Sequence, residues 1–363
     1  MGGATLIEVY ELLKLVVDND ASDLHIKAPT APVLRINGDL IRQLQYPPIT
    51  PEDAEQIFTA ITTPHQQEIF AAENELDFVY SVTNLARFRV NVLRQRGSLS
   101  LAFRVVPFAI RNIDELKLPV ILKNLIIRPR GLLLVTGPTG SGKSTTQAAM
   151  IEHLNNCRRC NVITIEDPIE YLFHDNECII SQRELGGDTH SFATALKHAL
   201  RHDPNVIVIG EMRDLETIST AIAAAETGHL VIGTLHTTDA PQTVDRLIDM
   251  FPPSQQQQIR LQLSQVLEAI ISQTLIPRLD NKGRVAAFEI LIATNAARNL
   301  IREGKTFELL TIMQLGKNEG MQTLDNELTH LAKDGVISTE NAVLKSSNPE
   351  RLRKTLCGVN RGT

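Results

Sequence analysis

Residues 137–145 read Gly137-Pro138-Thr139-Gly140-Ser141-Gly142-Lys143-Ser144-Thr145. These types at this spacing suit one chemistry, the holding of a polyphosphate. The glycines permit backbone conformations closed to other residues, so that consecutive N–H groups can curl around phosphate oxygens. Lys143 supplies a cation for the β- and γ-phosphates, and the Ser144 hydroxyl is a ligand for Mg²⁺. The segment satisfies G-x-x-x-x-G-K-[ST] in full. It follows an apolar run and opens a helical pattern, the context that gives the motif its meaning. Gly137 to Thr145 are therefore the candidate ATP-binding residues.

Three other apolar runs carry polar groups at their ends. Residues 206–209 are Val-Ile-Val-Ile, followed by Gly210-Glu211. A carboxylate at the C-terminal end of a buried strand can hold Mg²⁺ directly or through water, although this one could also pair with Arg213. Residues 162–165 deliver Glu166-Asp167-Pro168. Either carboxylate could orient and deprotonate an attacking water, and the residues alone do not choose between them. Residues 230–234 are bracketed by His229 and His236. A histidine after such a strand faces the crevice where a γ-phosphate sits, so it could sense that group.

The elements that must position these residues follow from the patterning. The runs 132–136, 162–165, 206–209 and 230–234 are short and almost wholly apolar, as strands covered on both faces by helices are. Helical patterns lie between them. Phe192, Ala195, Leu196, Ala199 and Leu200 recur at helical spacing, and the Ala-rich stretch 217–226 closes at Gly228. Strands alternating with helices predict a doubly wound α/β domain over 131–363, mostly helical from about residue 252.

The first 106 residues differ. A helical pattern begins near Leu6, Asn37-Gly38 signals a turn, and Thr50-Pro51 opens a second helix as cap and first position. In 87–93 and 99–105 apolar and polar residues alternate, the mark of strands with one buried face, which places Arg89 and Arg104 on the polar face. Residues 1–106 therefore read as a small α/β domain around an antiparallel sheet. Residues 107–130, with three prolines, read as a linker containing one short helix.

Composition narrows the classes. The 363 residues carry a formal charge of −6, 43% hydrophobic and 21% charged residues. That is ordinary for a globular protein and gives no global drive towards nucleic acid or anionic lipid. No tryptophan, 4% aromatics and no basic stripe argue against a nucleic-acid motor. No apolar run reaches the roughly 18 residues of a membrane span, and no signal pattern opens the chain, so a cytoplasmic protein is expected. Four cysteines (Cys157, Cys160, Cys178, Cys357) do not make a disulfide framework. The single C-x-x-C at Cys157 and Cys160 has no second pair to complete a zinc site.

The boxes GPTGSGKST, TIEDPIEY, GEMRD and GHLVIGTLHTTDA, in this order, resemble the Walker A, Asp, Walker B and His boxes of the PilT/GspE secretion ATPase superfamily. SDLHI and RINGDL near the start, and ARNLIREGK with GMQTLDNEL near the end, resemble its PilT branch. The resemblance implies a PAS-like N-terminal domain joined to a RecA-like ATPase domain with a C-terminal helical bundle. It implies cytoplasmic homohexamers that hydrolyse ATP with Mg²⁺ to retract type IV pili, working against the pilus base through a platform protein of the inner membrane. It further implies that Glu166 is the general base, that Glu211 helps hold Mg²⁺, that His229 and His236 serve the nucleotide, and that Arg89 and Arg104 reach nucleotide from the N-terminal domain. The chain has neither the cysteine-rich insertion of the GspE type nor the long N-terminal extension of many assembly ATPases, which fits the retraction class.

Overall fold

The computed structural model describes residues 8–358 except 37, 84, 107–109, 281 and 282. The residues at the start of the first helical pattern (Leu6), the Asn37 half of the predicted turn and Pro107 lie outside the described residues. The chain forms two units, Met1–Ala109 and Ile110–Thr363, each with its own core.

The first unit runs α1 (Val9–Asp18), β1 (Asp23–Lys27), β2 (Val33–Ile36), β3 (Asp39–Arg42), α2 (Pro51–Ile61), α3 (Pro64–Glu73), β4 (Glu75–Val82), β5 (Ala86–Gln95) and β6 (Ser98–Val106). The strands make one sheet in the order β3-β2-β1-β6-β5-β4, antiparallel throughout. Period-two alternation has its expected effect. Phe88, Val90 and Val92 of β5 and Leu99, Leu101 and Phe103 of β6 are fully buried, while Arg89 and Arg104 are exposed cross-strand partners. The Arg104 Nε donates to Asp23 Oδ1 at 2.8 Å. Thr50 caps α2 in a capping box with Asp53, and Pro51 takes the first position. A second capping box, Thr63 with Gln66, opens α3, a helix that the sequence analysis did not recover.

The second unit runs α4 (Ile121–Ile126), β7 (Gly131–Thr136), α5 (Lys143–Asn155), β8 (Asn161–Glu166), β9 (Ile179–Glu184), α6 (Phe192–Ala199), β10 (Val206–Ile209), α7 (Leu215–Glu226), β11 (Leu230–Leu235), α8 (Ala240–Asp249), α9 (Pro253–Val266), β12 (Leu267–Pro277) and β13 (Arg284–Ile292). It closes with α10 (Asn295–Glu303), α11 (Leu309–Leu315), α12 (Leu324–Lys333), α13 (Thr339–Lys345) and α14 (Pro349–Gly358). The sheet order is β13-β12-β7-β11-β10-β8-β9. All neighbours are parallel except β12 and β13. Every residue of β7, β10 and β11 is buried, as strands covered on both faces must be. Among the described residues no helix is long and apolar enough to cross a membrane.

One expectation needs correction and another needs an addition. Residues 110–130 are not a free linker, because Ile113, Leu118, Leu122, Leu125 and Ile126 are buried in the core of the second unit. The region after residue 252 is mostly helical as expected, but it also holds two strands that were not expected. Its α9 leads into an antiparallel pair, β12 and β13, whose apolar residues lack alternation because both faces are covered.

Glu289 of β13 is 5% exposed and accepts from the Ala240 N–H at 2.9 Å, at the start of α8. Burial pushes its pKa up from 4.5 to about 7, against the help of backbone N–H donors from Ala240 and Leu324. Between those two values the folded chain holds a proton that the unfolded chain has lost. Its contribution to stability is therefore greatest at the acid end of this window, falls as pH rises towards 7 and levels off above it. In Glu289→Gln that part of the slope should disappear. The melting temperature of the variant relative to the parent should climb between about pH 5 and about pH 7. A difference independent of pH in melting scans would refute the assignment.

Candidate active site

A cavity of about 510 Å³ opens at the C-terminal ends of β7, β8, β10 and β11, and Lys143, Ser144, Glu166, Glu211 and His236 all line it. The turn from β7 into α5 is built on three glycines of positive φ: Gly137 at 142°, Gly140 at 74° and Gly142 at 91°. At Gly137 a Cβ would also come within 2.2 Å of the Gln273 carbonyl oxygen and 2.7 Å of Ser141 Oγ. This glycine is thus required by the close seat of the loop on β12. Two contacts fix that seat. Gln273 Nε2 donates to Ser141 O at 2.7 Å. The hydroxyls of Thr136 and Ser272 bond at 2.8 Å in the buried interior.

Lys143 is the first residue of α5, and its Nζ donates to the carbonyls of Gly137 at 2.7 Å and Pro138 at 3.2 Å. Burial lowers its pKa, opposed by the charges of Glu211 and Glu170. Thr145 Oγ1 bonds Tyr171 Oη at 2.8 Å, tying α5 to the segment that follows β8.

Glu166 ends β8. Its Oε1 accepts from Thr164 Oγ1 at 2.6 Å and from Gln182 Nε2 at 3.1 Å. Burial raises its pKa, and these two donors together with the Glu170 backbone N–H offset this only in part. Asp167, its neighbour, is exposed at the cavity rim. The two carboxylates thus differ in setting, Glu166 pinned by donors and Asp167 open at the rim.

Glu211 follows β10 across Gly210, whose N–H donates to Ile165 O at 2.7 Å and so locks the end of β10 to that of β8. Its Oε1 lies 2.8 Å from His236 Nε2 and 2.6 Å from Arg213 Nε. Burial acts to raise its pKa, but the Arg213 hydrogen bond and the His236 charge outweigh it, and the net shift is downward. The pairing with Arg213 left open by the sequence is present. Hard oxygen donors from Ser144 and Glu211 on one cavity suit Mg²⁺. The buried Ser141 Oγ, which has no partner in the described structure, also belongs to this loop.

His229 does not join the site. It precedes β11, with Nδ1 3.0 Å from Ala224 O and Oγ1 of Thr227 at 3.3 Å. The strand between it and His236 spans roughly 20 Å at the usual rise per residue, so the two histidines stand at opposite edges of the sheet. Arg89 and Arg104 belong to the first unit, whereas the cavity lining comes from residues between 139 and 284. Cys157 is exposed, and the Cys160 sulfur lies 3.3 Å from that of Cys178 rather than against Cys157. Sequence reading missed Gln273, Gln182, Arg284 and Tyr171. The first two act through strand register, which no motif encodes.

A phosphate-binding loop on the central strand of such a sheet, with acidic strand ends beside it, defines a P-loop nucleotide-binding protein. The chain belongs to the type II/IV secretion system protein family, which it matches over residues 5–344. It is 46% identical over 344 residues to the type IV pilus retraction ATPase PilT of Pseudomonas aeruginosa, covering 95% of this chain and 99% of that one. It is 46% identical to a twitching motility protein of Neisseria gonorrhoeae, covering 88% of this chain and 86% of the relative. The crystal structure of the pilus retraction motor PilT with bound ADP superposes at TM-score 0.90 and 45% identity, over 96% of this chain and 99% of that one. The Legionella pneumophila ATPase DotB gives TM-score 0.81 at 27% identity, over 94% and 95% of the two chains. Together these similarities carry the two-domain plan, PAS-like and then RecA-like with C-terminal helices, along nearly the whole chain.

If Gln273 holds the loop in shape, Gln273→Leu should weaken ADP binding about tenfold, the effect of losing one buried hydrogen bond at the loop. Titration with a fluorescent ADP analogue on protein of unchanged melting temperature checks this. Unaltered affinity would show that the loop keeps its form without β12.

Proposed function

We propose that the chain is an ATP-hydrolysing motor that powers type IV pilus retraction. The observation that carries this reading is the convergence of Lys143, Glu166 and Glu211 on one cavity, in a chain similar end to end to a pilus retraction motor. Residues Gly137 to Thr145 grip the triphosphate through backbone amides, with Lys143 on its β- and γ-phosphates. Glu166, held by Thr164 and Gln182, orients the attacking water and takes its proton. Ser144 and Glu211 would hold Mg²⁺, which when bound neutralises charge on the phosphates. His236, in contact with Glu211, registers the presence of the γ-phosphate.

In this reading six copies form a ring at the cytoplasmic face of the inner membrane, and Arg89 and Arg104 approach nucleotide from the first unit. Turnover around the ring drives pilin subunits from the pilus base into the membrane through a platform protein. A motor for another secretion system of the same family is the second reading, favoured by the likeness to DotB.

Glu166→Gln should leave ATP binding near normal and reduce kcat at least about a hundredfold, the usual scale of a lost general base. Undiminished phosphate release would remove Glu166 from the mechanism. Deleting the gene should give hyperpiliated cells that do not retract. Bald cells would assign the chain to filament assembly instead.

A further inference from the structure

The strand β9 carries none of the sequence boxes, yet it supports the segment that holds the base. Its parallel pairing with β8 sets Gln182 directly opposite Thr164 and Glu184 opposite Glu166. On this register Gln182 is fully engaged. Its Nε2 donates to Glu166 Oε1 at 3.1 Å and to Tyr171 O at 2.8 Å, and its Oε1 accepts from Phe173 N at 3.0 Å. Two residues on, Glu184 Oε2 accepts from Ile169 N at 3.1 Å. The segment 167–173 is therefore fastened along its length by two side chains of one face of β9.

Resting on the reading of Glu166 as general base, we propose that Gln182 is the positioning residue for that base. Three features single it out. Thr164 also donates to Glu166 Oε1, but from the same strand two residues away, and the Glu170 N–H that bonds the same carboxylate belongs to the segment itself, so neither anchors the two from outside. Gln182 comes from a different strand and binds the carboxylate and the 171–173 backbone with one rigid amide. Both side-chain donors meet Oε1 of a carboxylate that lines the cavity. The segment it fastens includes Tyr171, whose hydroxyl touches Thr145 of the phosphate loop. Gln182 thus sets the base at a fixed place relative to the bound phosphates, which is where a misplacement of an ångström costs rate. Its N–H also favours the ionised carboxylate, the form that accepts a proton.

The test uses the full-length protein with Mg²⁺ and ATP. Gln182→Met keeps the side-chain length and removes both donors and the acceptor. It should lower kcat tenfold or more, the scale of one hydrogen bond to a charged group, with KM and ADP affinity within about twofold. The acid limb of its kcat–pH profile should move to higher pH, since the ionised base has lost a donor. Gln182→Asn, which keeps the amide on a shorter stem, should recover part of both effects. In a Glu166→Gln background Gln182→Met should cost little more, because the two act as a unit. Parent-like kcat and pH profile in Gln182→Met would overturn the proposal, as would an equal loss in the Glu166→Gln background. Should Gln182→Met fail to fold, Gln182→Asn decides on the same pH profile, and an unshifted acid limb there counts against. The Glu166→Gln single variant reads the base assignment itself, so failure of that reading shows separately.

Discussion

A backbone can aim several successive amides at one polyphosphate only where its residues adopt positive φ without a Cβ clash, and the rest of this molecule is arranged around that constraint. Gly137, Gly140 and Gly142 meet the conformational demand. The packing demand is met by the sheet. β7 lies between β12 and β11, and its last residues bond to both neighbours. β12 reaches under the loop with Gln273 and Ser272. The loop is thus a flexible sequence held rigid by its setting, so the amides are in place before a ligand arrives and little ordering entropy is left to lose.

The same sheet order explains why distant residues meet. β8 and β10 are parallel neighbours in register, Ile165 opposite Ile209. Strands of equal reach therefore end together, and Glu166 and Glu211 emerge side by side although 45 residues separate them in sequence, as subtraction of their numbers gives. β11 ends one strand further along and delivers Thr234 and His236, with the Thr234 hydroxyl donating to Gly210 O. Parallel sheets gather their functional groups at the carboxyl edge because every strand points the same way.

That geometry also divides what the sequence could and could not disclose. β10 was legible to the residue because Val-Ile-Val-Ile has no reading but a strand covered on both faces. The phosphate loop, the Glu166-Asp167 pair, Glu211 and His236 were legible as candidates because each adjoins such a run at its C-terminal end. His229 was drawn in by nearness to His236 in sequence, yet a fully extended strand stands between them and carries it to the far edge. β12 and β13 were lost for a related reason. Mixed stretches such as Leu267 to Ile276, where Glu268, Ser272, Gln273 and Thr274 interrupt the apolar residues, show neither a period of two nor of 3.6, and the helices on both sides bias the reading towards helix. Gln273 and Gln182 then could not be found. Each is an unremarkable amide until register places it against the loop or the base.

Two carboxylates a few residues from the same phosphate site are held in opposite ways, and the difference sorts their roles. Glu166 rests among neutral donors in a crowded setting, where desolvation dominates and raises its pKa. Glu211 touches the Arg213 guanidinium and the His236 imidazole, whose side chains are 68% and 45% exposed. Ion pairs at so open a rim contribute little against water and side-chain entropy, so they are easily exchanged. Ser144 and Glu211 would together hold a divalent ion there, which when bound would neutralise charge on the phosphates. The Glu166 contacts cannot be exchanged in that way, because Thr164 is fully buried and Gln182 is tied to backbone on both sides of its amide. The proposed roles, a fixed proton acceptor beside a replaceable metal ligand, match the division that environments pushing two pKa values apart produce. In this fold it follows from which strand end lies beneath the 167–173 segment and which lies open to solvent.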